Sequence, residues 1–195
     1  MNRPSFAPAA LLLAFALSGC FGGAKAPPQL LTLTAASTRP AGEVRAASQG
    51  HAITVTTPAV PPEAEADRIP VYVSPTSIQY VVGAQWVAKP NLLFRQLLSD
   101  TLSARTGWAV IDPGVYTQVQ GMVLSGQLLR FGVDPGRMEA VVVFEASLAR
   151  PDQAVSTNRF EARVPLSAIG ANEAATALNQ AANQVAGQVA DWAGR

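Results

Sequence analysis

Between Met122 and Val164, apolar residues recur at every second position in three successive runs, and no other feature limits the possible folds so tightly. Met122, Leu124, Gly126 and Leu128 share one face of the first run. Met138, Ala140, Val142, Phe144, Ala146 and Leu148 share one face of the second, and Phe160, Ala162 and Val164 one face of the third, with Arg159, Glu161 and Arg163 opposite. A period of two sends successive side chains to opposite faces of a strand. An apolar face backed by a polar one is the pattern of antiparallel strands with one side on a core and the other in water. Asp134-Pro135-Gly136 and Pro151-Asp152 supply the turns. The pattern predicts a three-stranded meander.

Helical spacing brackets this meander. Pro90 opens a helix over Asn91 to Arg105 with Phe94, Leu97, Leu98, Thr101 and Leu102 inward, and Gly107 stops it. A second helix runs from Asn172 to Trp192, with Leu178, Ala182, Val185, Val189 and Trp192 on one side. Upstream, strands are expected over Gln29 to Thr34 and His51 to Thr57. Ile69 to Val73 and Ile78 to Val82 form a hairpin through Ser74-Pro75-Thr76-Ser77, and Trp108 to Ile111 makes a short strand. Pro62 starts a helical turn over Glu63 to Asp67, and residues 35–50 read as a mobile loop poor in large apolar groups. The resulting fold class is α+β: a two-layer sandwich with a mixed, mostly antiparallel sheet and two main helices on one face.

Cys20, the only cysteine, closes Leu17-Ser18-Gly19-Cys20 behind an uncharged stretch, Ala9 to Leu17, with Arg3 ahead of it. A positive start, a short apolar core and small residues at the end form a processed leader, and the stretch falls well short of the roughly 20 residues a spanning helix needs. The run resembles a bacterial lipobox, which makes Cys20 the lipidation site. An ordinary secretory signal that holds a cysteine, or a buried core cysteine, are the alternatives. The expected organisation is a signal peptide over 1–19, a lipidated tether over 20–28 and one periplasmic domain over 29–195. Gly22 to Pro28 spans at most about 25 Å, so the domain stays near its membrane, and no second apolar run reaches spanning length.

Fourteen Lys and Arg face thirteen Asp and Glu, and loss of Arg3 with the leader balances them. A neutral chain without basic clusters argues against nucleic acid as a partner, since that binding rests on neutralising phosphates. With the single thiol acylated and His51 the only histidine, metal sites of imidazole or thiolate are excluded for one chain. No G-x-S-x-G elbow or phosphate-binding glycine loop occurs. Glu63, Glu65 and Asp67 lie next to Arg68 and read as a solvated run. No catalytic set and no cofactor are expected.

Two features have more than one reading. The last helix carries Asn179, Gln180, Asn183, Gln184 and Gln188 on its polar side. Such an uncharged face is either a contact for a partner or a second copy, where charge is depleted, or an ordinary polar surface. Trp86 with Val87 either docks a partner or seals the edge of the core.

The lipobox at Cys20, Leu30-Leu31-Thr32-Leu33, Ile53-Thr54-Val55 leading to Val60-Pro61, Asp67-Arg68 before Val71-Tyr72-Val73, and Tyr80 to Trp86 ahead of the first helix together resemble the auxiliary lipoproteins of ABC-type transport systems, the PqiC-like family that accompanies MCE-domain proteins. The resemblance implies an outer-membrane lipoprotein facing the periplasm. Its implied partners are the MCE-domain protein and ABC transporter subunits of a lipid transport system, with a homo-oligomer and transient phospholipid contact also implied. A scaffold or assembly lipoprotein of the envelope is the rival reading, because fold does not determine function.

Overall fold

A computed structural model describes residues 29–47, 51–112 and 121–195. The elements run β1 (Ala52–Val55), β2 (Pro70–Ser74), β3 (Ser77–Tyr80), α1 (Pro90–Thr106), β4 (Ala109–Ile111), β5 (Met122–Asp134), β6 (Glu139–Ala149), β7 (Ser156–Pro165) and α2 (Ala171–Ala193), with a 3-10 turn at Pro62–Ala64 after β1. All seven strands form one sheet. The meander stands as read: β6 pairs antiparallel with β5 along its length, and β7 with β6. Met138 leaves the second run, however. It sits in the turn with φ 54°, and β6 starts at Glu139.

The long strand β5 is the spine. One edge carries β6 and then β7. The other is shared end to end by β1, a single bridge at Ala59 and β2, all parallel to β5. Pro58, Pro61 and Pro62 lack N–H groups and interrupt what would otherwise be one strand. Ladder bonds bracket the break, from Ala59 N–H to Gly126 O at 3.0 Å and from Leu128 N–H to Ala59 O at 2.8 Å. β4 joins β1 in parallel and β3 joins β2 as the expected hairpin.

A bulge at Leu129 re-phases the spine. Before it, Met122, Leu124 and Leu128 face the helices; after it, Phe131 and Val133 do. The core lies between this face and the two helices. Phe94 of α1 meets Phe144 of β6 edge-on at 5.2 Å, Trp86 meets Phe131 at 5.8 Å, and Phe160 of β7 meets Trp192 of α2 at 5.6 Å. Every inward residue foreseen on α1 is buried, and Gly107 takes the left-handed conformation (φ 74°) that ends the helix. On α2, Ala174, Ala177, Ala181, Ala182, Ala186 and Ala190 are buried beside Leu178, Val185 and Val189. Small side chains let the helix lie close to both the sheet and α1.

The opposite face of the sheet is not uniformly wet. Val141 and Val143 are buried there, between the cross-strand neighbours Gly132 and Arg163 on one rung and Arg130 and Glu161 on the next. The aliphatic stems of long charged side chains cover apolar surface while their heads stay in water, so this layer makes a second, thin apolar patch.

Gln29 to Thr34 is not a strand. Leu31 alone makes a bridge, to Trp86, with Leu31 N–H on Gln85 O and Val87 N–H on Leu31 O, both at 2.8 Å. The next backbone groups find side chains instead. Thr34 N–H donates to Asn179 Oδ1 at 2.8 Å, and Ala36 N–H to Asn183 Oδ1 at 2.7 Å. Residues 35–47 then continue without regular structure, and Arg45 donates to the Ser103 and Trp108 carbonyls at the end of α1.

Candidate functional site

Of the residues that carry the family resemblance, Asp67-Arg68, Val71-Tyr72-Val73 and Tyr80 to Trp86 come together around the β2–β3 hairpin, while Ile53 to Val55 lie in β1. Asp67 holds the segment before α1 twice: Oδ2 accepts from Gln85 Nε2 at 2.6 Å, and its carbonyl accepts Trp86 N–H at 2.8 Å. The Arg68 guanidinium lies 4.5 Å from the Tyr80 ring centre, and the Tyr80 hydroxyl donates to Glu63 O at 3.3 Å. Within the acidic run, the Asp67 carboxylate is therefore tied to the frame, Glu63 joins it through its backbone carbonyl, and Glu65 is exposed. Trp86 is 1 % exposed, which settles its role as the core-edge seal; Val87 beside it is exposed.

Tyr72 sits at the centre. Its hydroxyl accepts Phe131 N–H at 3.2 Å, two residues before the Val133 position at which β2 pairs with β5, and the Arg130 guanidinium stacks 4.2 Å from its ring. The ring lies over Gly132; a Cβ there would stand 2.8 Å from Tyr72 Cε2 and 2.4 Å from Pro70 O. Burial raises the Tyr72 pKa above its usual value, against the lowering effects of the Phe131 hydrogen bond and of Arg130. A row of charge continues across the same face. Arg163 reaches Glu161 at 2.7 Å, Glu139 at 3.5 Å and Asp134 at 3.6 Å, and the Glu161 hydrogen bond in particular raises its pKa.

The other candidates separate. His51 is exposed at the mouth of β1, where its carbonyl accepts Ala109 N–H. Among the described residues, no group of three or more His, Cys, Asp and Glu side chains is placed to hold a metal ion, and no helix is long and apolar enough to cross a membrane. Cys20 and the tether lie outside the described residues. The amide face divides in two. Asn179 and Asn183 clamp the N-terminal segment, whereas Gln180, Gln184 and Gln188 form an exposed strip.

Sequence reasoning did not single out Arg39, Arg45 and Arg95, which line a cleft of about 350 Å³ between α1, β4 and residues 39–45. They lie far apart in the chain, and no local spacing links them. The arrangement as a whole is a rigid two-layer body whose polar side chains brace backbone and pack on aromatic rings.

The protein belongs to a class of accessory envelope proteins. Specifically, residues 31–190 match the ABC-type transport auxiliary lipoprotein component family, and the chain belongs to it. That is a transport-accessory family and not an enzyme family, and it places the chain in the cell envelope. No curated protein matches. Among solved structures, the fold is similar to protein XCC0632 from Xanthomonas campestris, at TM-score 0.68 and 21% identity over 84% of this chain and 93% of that one. It is also similar to a protein described only as uncharacterized, at TM-score 0.64 and 16% identity over 74% and 93%.

Proposed function

We propose that the chain is an outer-membrane lipoprotein, cut after Gly19 and acylated on Cys20, whose domain over 29–195 serves as the auxiliary subunit of an MCE-type lipid transport system on the periplasmic side. The observation that carries this reading is the family match over 31–190 downstream of the lipobox at Cys20. The construction supports it. The tether enters the body at Gln29, and Leu31, Thr34 and Ala36 are bonded to the segment before α1 and to α2. A pull on the tether would therefore be borne by the segment before α1 and by α2. Phe21 stands where an aspartate would retain such a lipoprotein in the inner membrane, which favours the outer membrane.

The test uses the full chain expressed in its native envelope. Labelled palmitate is expected to enter the protein at Cys20, intact mass to lack residues 1–19, and crosslinking to capture an MCE-domain protein. An unlabelled protein with its leader attached would overturn the anchoring. A labelled protein that captures no MCE-domain partner would leave the scaffold reading in its place.

A further inference from the structure

The arginine cleft has a composition that the transport reading does not use. Arg39 and Arg45 enter it from the segment before β1, and Arg95 from α1. Ser99 and Ser103 follow Arg95 at four-residue steps, which places all three on one helix face.

The three guanidinium groups are not equally occupied. Arg45 is committed: it pairs with Glu43 at 2.8 Å and donates to the Ser103 and Trp108 carbonyls. Arg95 has one long ion pair, to Asp112 at 3.4 Å, and its Nε is buried with no acceptor. Arg39 is exposed and has no hydrogen bond or ion pair among the described residues. Buried N–H groups without acceptors are uncommon, and this one belongs to a cation that lines an open, polar cleft together with Arg39. Asp100 and Asp112 line the same cleft, but Asp100 accepts from Gln96 and Asp112 meets Arg95 at Nη1, so neither serves the Nε. An anion that offers several oxygens at once would supply that acceptor.

Guanidinium forks match the oxygen spacing of phosphate, and a serine hydroxyl adds a further donor. We infer that this cleft binds a phosphate group, with Arg39 and Arg95 as its cationic donors and the Ser99 hydroxyl beside them. A lipid headgroup and a free phosphate ion present the same chemistry here. The lipid source rests on the transport reading; the phosphate site does not.

Calorimetric titration of the acylated full chain in a nonionic detergent tests this with two probes, inorganic phosphate and dihexanoyl phosphatidylglycerol. Saturable binding of at least one is expected. Arg39→Gln should weaken it tenfold or more, and Arg95→Gln likewise, while Arg159→Gln on the sheet's far face leaves it within twofold. Arg39 is exposed, so its variant keeps the fold and gives a clean reading even if Arg95→Gln is destabilised. Heat from the lipid that inorganic phosphate displaces identifies a headgroup site; heat from inorganic phosphate alone identifies a free-anion site. Both uphold the assignment. No saturable binding of either probe, or equal losses in Arg39→Gln and Arg159→Gln, overturns it. Failure to capture an MCE-domain protein has no bearing on this result.

Discussion

The Asn183 side chain grips Thr34: Nδ2 donates to the Thr34 carbonyl at 2.9 Å, while Oδ1 accepts the N–H of Ala36 at 2.7 Å. The amide thereby supplies both halves of a strand-like pairing to a segment that has no neighbouring strand. Asn179, one turn earlier, accepts the Thr34 N–H, so α2 acts as the edge on which the N-terminal segment runs.

Asn183→Ala removes this double contact. Single hydrogen bonds contribute about 1 kcal/mol net, and these are solvent-accessible, so a loss of about 1–2 kcal/mol is expected in urea unfolding. The diagnostic signal is local. Amide exchange at Ala36 should accelerate more than that at Thr34, whose N–H stays on Asn179, whereas that of β6 should change only with global stability. Protection at Ala36 unchanged in the variant would refute the clamp.

Gly126 is held by space. A Cβ there would lie 2.1 Å from Glu145 O and 2.8 Å from Phe144 Cζ, whereas at Gly42 it would meet nothing within 4 Å. Gly126→Ala must push β6 or the Phe144 ring, which is locked edge-on against Phe94; overpacking of this kind costs about 1–3 kcal/mol. Gly42→Ala faces only the left-handed backbone at φ 84°, worth about 1 kcal/mol. Thermal unfolding of the two variants should rank them in that order, and Gly42→Ala proving the worse would contradict the packing argument.

The helices and the meander were legible because their periods were imposed by a single large core. Phe94 to Leu102 keep a helical stripe, and Ala140 to Leu148 a clean alternation, wherever one face is buried. The bulge at Leu129 left no comparable mark, since Leu128-Leu129 reads as continuous alternation in either phase. The parallel pairing of β1 with β4 and β5 is a choice of tertiary neighbours that local pattern does not encode. Gln29 to Thr34 misled for a physical reason: Leu31 and Leu33 alternate like a strand, yet the backbone partners are the amides of Asn179 and Asn183, about 145 residues away in sequence. Separation in sequence also hid the arginine cleft, whose Arg39 and Arg95 come from different elements, and it hid half of the amide face's purpose.

Asp67 links the family-like motif to the entry of α1. Asp67→Ala frees Gln85 and weakens the turn that presents Trp86 and, through it, Leu31. Hydrogen bonds to charged groups contribute about 1.5–3 kcal/mol, and partial exposure puts this one at the lower end. A loss of about 1–2 kcal/mol is expected, along with a shift in Trp86 fluorescence as its neighbourhood loosens. Asp67→Asn, which keeps an acceptor oxygen, should recover much of the stability. If it is as damaged as the alanine variant, charge and not hydrogen bonding holds the segment.

Tyr72 makes alkaline pH a probe of the β2–β5 junction. Burial is the main cause of its raised pKa, so the unfolded chain, titrating near 10, gives up its phenolic proton before the folded one does. Above that pH the unfolded state binds fewer protons, and stability falls with rising pH. The contribution is complete below about pH 10 and is lost as pH climbs toward and through the folded-state value. Ionisation would also place a charge on a largely buried hydroxyl, with the neighbouring Arg130 guanidinium and the Phe131 N–H to offset it. Tyr72→Phe removes the titrating group together with the acceptor for Phe131 N–H. It should therefore cost about 1–3 kcal/mol at pH 8, yet lose less further stability than the parent between pH 9 and pH 11. Urea midpoints at the two ends of that range, compared between parent and variant, decide the matter. Parallel slopes would mean that Tyr72 does not govern the alkaline limb and that its ring is more open to water than its place over Gly132 requires.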